Sequence, residues 1–261
     1  MWGDNSVGQL GQGHTDSLVS PCQVTRFDRD ASGSGTSPRQ LVSHIACGDA
    51  HVLAMCRDSP TSMTSVFAWG DSSYGRLGVG DDIADEGSTW PVCVEELRGK
   101  GVTAIAAGRA HSAAVCGGDL YTWGDNSDSQ LGLDASPFVP QSSCTVSYGD
   151  DTGFDSDASF DQNSVDCDRY EPSPARVRSL RETDIAIVSV ACGDAHTACI
   201  DTNGSLYTVG SGMGGMLGHG DEQSRGQFAS VQNKFARVRA SAVSCSASLT
   251  LVLTEPSTHA E

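Results

Sequence analysis

The sequence predicts an all-β fold built from repeated units, and three observations carry this prediction. A decamer recurs four times, a second block of eleven residues alternates with it, and no stretch of useful length has helical periodicity. The apolar runs are four to seven residues long, which suits strands and falls far short of the roughly 20 residues that a membrane crossing requires. We therefore expect a single domain over residues 1–261 that inserts no segment into a membrane.

The decamer marks a glycine-rich corner at the end of a strand. Its copies are WGDNSVGQLG, WGDSSYGRLG, WGDNSDSQLG and VGSGMGGMLG, and they begin at Trp2, Trp69, Trp123 and Val209. A leucine holds the ninth position of every copy, as Leu10, Leu77, Leu131 and Leu217. Because a β-sheet cannot bury its apolar faces alone, we expect these Trp and Leu side chains to fill the space between neighbouring units.

The second block predicts two short strands joined by a tight turn. Its copies are IACGDAHVLAM, IAAGRAHSAAV, VACGDAHTACI and VSCSASLTLVL, which begin at Ile45, Ile105, Val190 and Val243. Glycine makes the turn easy in the first three copies, and a third, β-branched or aromatic strand leads into each later decamer. The repeated core is about fifty residues long, within the range of propeller blades.

Repeat-like segments cover most of the chain, and the rest is predicted to form surface loops. The segments are 2–24, 41–97, 102–139, 185–231 and 240–254. Residues 140–174 form an acidic insertion, which we expect to be a disordered loop because its composition cannot bury a core. A calcium site among Asp150, Asp151, Asp155 and Asp157 is the alternative, but their spacing misses the EF-hand pattern.

The two alternating blocks together resemble the repeat of the regulator of chromosome condensation family. The resemblance implies a β-propeller, with family rings of seven blades, of which this chain would form an incomplete arc of three full blades and two half blades. We therefore expect the chain to be a piece of a longer protein, from a truncated gene model. The fourth repeat departs from the pattern at Val209, Ser211 and Leu249, so we expect its turn to be remodelled.

Three histidines recur at one position of the second block, as His51, His111 and His196. A shared metal is one interpretation, but equivalent residues on neighbouring blades lie too far apart for bonds of about 2.1 Å to a single ion. We favour the other interpretation, in which each ring is a hydrogen-bonding residue that fixes its own turn. The sequence predicts no metal site, no cofactor and no catalytic residue.

The turn before each histidine is the candidate binding surface. In the family's exchange factor for the GTPase Ran, this turn supplies acidic residues to the face that meets the GTPase. Carried over by position, the resemblance implicates Asp49 and Asp194, with Arg109 in the second copy and Ala247 in the fourth. The alternative is that each aspartate only caps its own turn.

The charge balance favours a protein partner over nucleic acid. The net charge is −17, which repels a phosphate backbone and argues against direct DNA binding. We expect a non-catalytic propeller in the cytosol or nucleus that regulates a Ran-like small GTPase as an exchange factor. The alternative is an interaction-scaffold fragment of a larger protein, such as a ubiquitin ligase or a trafficking or signalling regulator.

Overall fold

The computed structural model describes residues 1–28, 40–58, 63–80, 87–133, 170–182, 185–232 and 238–255. Within these ranges the chain is almost entirely β, which confirms the predicted fold class. One short α-helix, α1 (Arg178–Glu182), and four single 3-10 turns are the helical elements described. None of these helices is long and apolar enough to cross a membrane.

The strands form three antiparallel sheets of four strands and one hairpin, each in chain order. The first sheet contains β1 (Gln40–Cys47), β2 (His51–Asp58), β3 (Met63–Gly70) and β4 (Ser88–Cys93). The second contains β5 (Val102–Ala107), β6 (His111–Cys116), β7 (Asp119–Asp125) and β8 (Tyr170–Arg176). The third contains β9 (Ile187–Cys192), β10 (His196–Asp201), β11 (Leu206–Gly210) and β12 (Arg225–Ser230), and the hairpin contains β13 (Ala240–Cys245) and β14 (Thr250–Thr254).

Neighbouring sheets pack face to face, and the core lies between them. Leu53 and Met55 of the first sheet pack with Ala114 and Cys116 of the second. Equivalent clusters join the second sheet to the third, and the third sheet to the hairpin. This alternation of buried faces follows from the period of two along each strand.

In the first two decamers, the last glycine packs against the tryptophan of the next decamer. Trp69 lies against Gly11 and Trp123 against Gly78, where an added Cβ would sit 2.9 and 2.5 Å from the respective indole nitrogens. Both indoles are buried, and all four decamer leucines are buried as predicted. Trp2, the tryptophan of the first decamer, is 64% exposed, and its predicted filling role stays a prediction.

Two further expectations need correction. Residues 170–174 belong to β8, so the predicted loop 140–174 extends too far toward the C-terminus. The rest of that loop, residues 140–169, lies outside the described residues. The four aspartates considered for calcium binding are in this part. The prolines of β8 are tolerated because it is the outermost strand of its sheet. The half unit expected at the N-terminus shows one isolated bridge, between Gly3 and Leu18, instead of strands.

Candidate functional site

The turns between the first and second strands of successive sheets form one continuous row, here called the turn rim (residues 48–50, 108–110, 193–195 and 246–248). Its members are joined by main-chain hydrogen bonds: Asp49 N donates to Gly108 O at 3.3 Å, Arg109 N to Gly193 O at 3.2 Å, and Asp194 N to Ala247 O at 3.3 Å. Gly48 and Gly108 permit this approach, because an added Cβ would lie within 2.4 Å of the next turn's carbonyl oxygen. The fold therefore sets equivalent turn residues side by side.

The three candidate binding residues occupy equivalent places on the turn rim. Asp49 and Arg109 are exposed, and Asp194 is half-buried. Ala247 follows Asp194 along the rim, so the row reads acidic, basic, acidic, neutral. The structure brings these residues together on one surface, and their role in binding stays a prediction.

The histidines link neighbouring sheets. His51 Nε2 lies 2.8 Å from Ser112 Oγ, His111 Nε2 lies 2.9 Å from Thr197 Oγ1, and His196 Nε2 lies 3.0 Å from Thr250 Oγ1. Each ring also lies against the glycine of its own turn. We expected each ring to fix its own turn by a hydrogen bond, whereas the hydrogen bond of its Nε2 reaches the next sheet.

The hydroxyl groups fix the tautomer of these rings. Ser112 Oγ donates to Arg76 O at 2.9 Å, and Thr197 Oγ1 donates to Gln130 O at 2.7 Å. A hydroxyl that donates its proton to a carbonyl can only accept from the ring, so Nε2 carries the hydrogen and Nδ1 does not. The Nδ1 atoms of all three rings are buried without a hydrogen-bond partner in the described part of the chain.

Burial keeps the rings neutral. It lowers the pKa of His51 to about 3, and the nearby Arg76 guanidinium acts in the same direction. Burial likewise lowers the pKa of His111 to about 3 and moves the pKa of His196 downward. Because Nε2–H is donated to a hydroxyl group of the next sheet, each neutral ring forms a structural link between sheets.

The buried Arg76 side chain contacts the turn rim from the interior of the fold. Its buried guanidinium pairs with Asp71 at 3.0 Å, and its Nη1 donates to the Arg109 carbonyl at 3.4 Å. Neither this residue nor the hydroxyl partners of the histidines were predicted from the sequence. The Ser or Thr that directly follows the second and third histidines was the available signal.

Three of the four copies of the second block have a cysteine at their third position, and these cysteines differ in their surroundings. Cys47 is exposed, Cys192 is buried and Cys245 is half-buried. Burial raises the pKa of the Cys245 thiol to about 11, which keeps it protonated near neutral pH. Across the described ranges, no group of three or more metal-ligating side chains is found.

Fold and turn rim together define a β-propeller-type repeat protein that presents a row of loops. The model of the "Regulator of chromosome condensation (RCC1) repeat" matches residues 1–55, 65–115 and 117–200. The chain belongs to this repeat family.

Comparisons with individual proteins agree on the fold. The chain is 30% identical over 221 residues to the human probable E3 ubiquitin-protein ligase HERC6, which covers 84% of this chain and 17% of that protein. It is 33% identical to the ultraviolet-B receptor UVR8 of Arabidopsis thaliana, over 84% of this chain and 38% of the receptor. Yeast RCC1 (Prp20), solved with Kap60, matches with a TM-score of 0.70 and 20% identity, over 97% of this chain and 49% of that one. The chain thus spans half or less of each of these proteins.

Proposed function

We propose that this chain is a non-catalytic protein-binding module whose partner contacts the turn rim. The observation that carries the proposal is the row of main-chain hydrogen bonds that sets Asp49, Arg109 and Asp194 side by side. Rigid elements hold each turn, since β-strands flank it and a buried histidine ties it to the next sheet. Loops held by a rigid scaffold are where binding residues concentrate.

The charge of the chain supports a partner with a basic surface. The sequence has 33 acidic and 16 basic residues, and two of the three rim candidates are aspartates. Complementary charge steers association and selects among partners. The yeast relative of similar fold was solved bound to another protein, Kap60, which is consistent with a protein-binding use of this fold.

The most concrete form of the proposal is nucleotide exchange on a Ran-like small GTPase. Such a GTPase holds its nucleotide through P-loop backbone groups, a lysine and Mg²⁺. A partner that distorts the P-loop and offers the lysine a carboxylate weakens that hold, and no covalent chemistry is needed. Asp49 and Asp194 are the carboxylates that this chain would offer.

Release of a fluorescent GDP analogue from Ran tests this form. The intact chain should accelerate release, and the double change Asp49→Ala with Asp194→Ala should slow it at least about tenfold, equivalent to about 1.4 kcal/mol. Glu96→Ala is the matched control, because Glu96 is exposed in the connection before β5, at the opposite end of the strands from the turn rim. If the intact chain does not accelerate release, the exchange hypothesis is wrong. If the double variant accelerates release as much as the intact chain does, the GTPase does not contact the turn rim.

A second candidate function is an interaction scaffold within a longer protein. The observation that favours it is the match to HERC6, in which the aligned region is only 17% of that ligase. The full coding sequence decides this point. A ligase domain in the same reading frame would support the scaffold, and a frame that holds only RCC1 repeats would favour the regulator.

A further inference from the structure

The loop of the second decamer, residues 71–76, connects two neighbouring turns of the turn rim. Its first residue, Asp71, donates its main-chain N–H to Ala50 O at 2.9 Å. Its last residue, Arg76, donates from Nη1 to Arg109 O at 3.4 Å. Tyr74 lies between these two attachments and is exposed, so its side chain is on the same face of the molecule as the turn rim.

Tyr74 has a backbone conformation that is unfavourable for its residue type. Its φ is +59° and its ψ is +20°, in the left-handed region that a bulky residue rarely adopts. The fourth decamer has almost the same conformation at this position, with φ +64° and ψ +12°, and its residue there is Gly214. The first and third decamers have Val7 and Asp128 there, and neither residue has a positive φ. Glycine is thus the unstrained choice for the conformation of the second decamer, yet the chain has an aromatic residue.

The tyrosine ring is not needed to hold the interior of this loop in place. It is 48% exposed, and its centroid lies 5.7 Å from Arg76 Cζ, near the outer limit of about 6 Å for a cation–π contact. The Arg76 guanidinium is already held by Asp71 at 3.0 Å and by Ser73 O, which accepts from Nε at 2.8 Å. A strained residue whose side chain faces solvent indicates a function outside the fold.

The loop holds Tyr74 in a fixed position before any partner binds. Ser73, the preceding residue, donates to Asp71 Oδ1 from its main-chain N at 3.0 Å and from its hydroxyl at 2.6 Å. Gly75, the following residue, lies so close to β8 that an added Cβ would be 2.5 Å from Pro172 Cα. An aromatic side chain that is held in place loses little conformational entropy on binding, and tyrosine is enriched among the residues that dominate binding energy.

We propose that Tyr74 is the apolar anchor of the turn rim, and that its ring packs against an apolar side chain of the partner that lysine or arginine residues surround. This inference rests on the proposed function, because it takes the turn rim as the contact surface. The basic surroundings follow from the exposed carboxylates of Asp49 on the rim and Asp128 on the next decamer loop. These charges guide the approach of the partner, whereas the ring lengthens the life of the complex.

Tyr74→Gly in the whole chain tests the anchor through stability and affinity together. Its urea midpoint should be no lower than that of the unchanged chain, because the relief of backbone strain offsets the lost ring contacts. Its affinity for nucleotide-free Ran, measured by titration calorimetry, should fall at least about tenfold. Ran without nucleotide is the probe, because a factor that promotes release binds the empty GTPase most tightly.

Two matched variants isolate the ring. Tyr74→Phe keeps the ring and should keep the affinity within about twofold. Ser129→Gly is the control for strain relief, because Ser129 has a φ of +62° in the next decamer loop. Its urea midpoint should rise and its affinity for Ran should stay unchanged.

Salt concentration separates the anchor from the carboxylates. The loss of affinity caused by Tyr74→Gly should be the same factor at about 50 mM and about 300 mM salt, because the contact is apolar. The loss caused by Asp49→Ala should become smaller at the higher salt concentration, since ions screen the attraction between charges.

The outcomes distinguish the anchor from the proposed function. A lower urea midpoint for Tyr74→Gly means that the ring stabilises the fold, and an unchanged affinity means that the ring does not contact the partner; either result overturns the anchor. If the affinity is unchanged but Asp49→Ala with Asp194→Ala weakens binding, the proposed function stands without the anchor. If the unchanged chain does not bind Ran, both the exchange hypothesis and the anchor are wrong.

Discussion

Thr197→Val should weaken the junction between the second and third sheets far more than its small chemical change suggests. The Thr197 hydroxyl accepts from His111 Nε2 at 2.9 Å and donates to Gln130 O at 2.7 Å, and all three side chains are buried. Valine keeps the shape but leaves both groups unsatisfied. At about 1–3 kcal/mol for each group, the free energy of unfolding should fall by about 2–6 kcal/mol. Val52 shows that valine fits this position of the repeat.

Urea unfolding measures this loss through the transition midpoint, with the slope checked for constancy. Thr103→Val is the control, because the Thr103 hydroxyl donates to Val115 O at 3.3 Å from an exposed position, and its cost should stay within about 0.5 kcal/mol. A cost for Thr197→Val no larger than that of the control would refute the reasoning. Adding His111→Leu should then cost less in the Thr197→Val background than alone, by a coupling energy of about 0.5–3 kcal/mol.

Two further changes test the same interior. Burial lowers the pKa of His51 and of His111 to about 3. Below pH 6.5, these two rings therefore become protonated in the unfolded chain while they stay neutral in the folded chain. Stability should therefore be complete above pH 6.5 and fall by about 1.4 kcal/mol per pH unit for each ring as the pH drops toward 3; equal urea midpoints at pH 7 and pH 5 would contradict this. Ser129 has a φ of +62°, at a position where the other three decamers have glycine. Ser129→Gly should raise the free energy of unfolding by about 0.5–1 kcal/mol. This is the backbone strain relieved in the folded state minus the conformational entropy that glycine adds to the unfolded chain. Thermal unfolding checks this change against Ser127→Gly, which should destabilise because the Ser127 hydroxyl bonds to Asp125 at 3.0 Å.

The repeat made the inner three strands of each unit predictable, because they alternate small, branched and aromatic residues between glycine corners. The fourth strands escaped prediction. β4, β8 and β12 read STWPVC, YEPSPAR and RGQFAS, and their prolines and polar residues erase the period-two signal. Edge strands tolerate such residues because one side of their backbone needs no partner, so only pairing with the preceding strand defines them.

The position of the candidate site could be predicted from the sequence, but the buried residues that hold its turns in place could not. The recurring turn singled out Asp49, Arg109 and Asp194, since equivalent residues of a repeat occupy equivalent places. Arg76 gave no such signal, because the other decamers have Gln9, Gln130 and Met216 at its position. The direction of the histidine hydrogen bonds also depends on how neighbouring sheets stack, which local sequence does not encode.

Neutral histidines donate from Nε2 to the next sheet and thereby hold the turn rim together. Long-range proton–nitrogen correlation by NMR at pH 7 reads this directly. We expect the rings of His51, His111 and His196 to be in the Nε2–H form. The His51 signal should shift when Ser112→Ala removes its acceptor, and the His111 signal when Thr197→Val does. Charged rings, rings in the Nδ1–H form, or signals that do not shift in these variants would contradict the proposed hydrogen bonds.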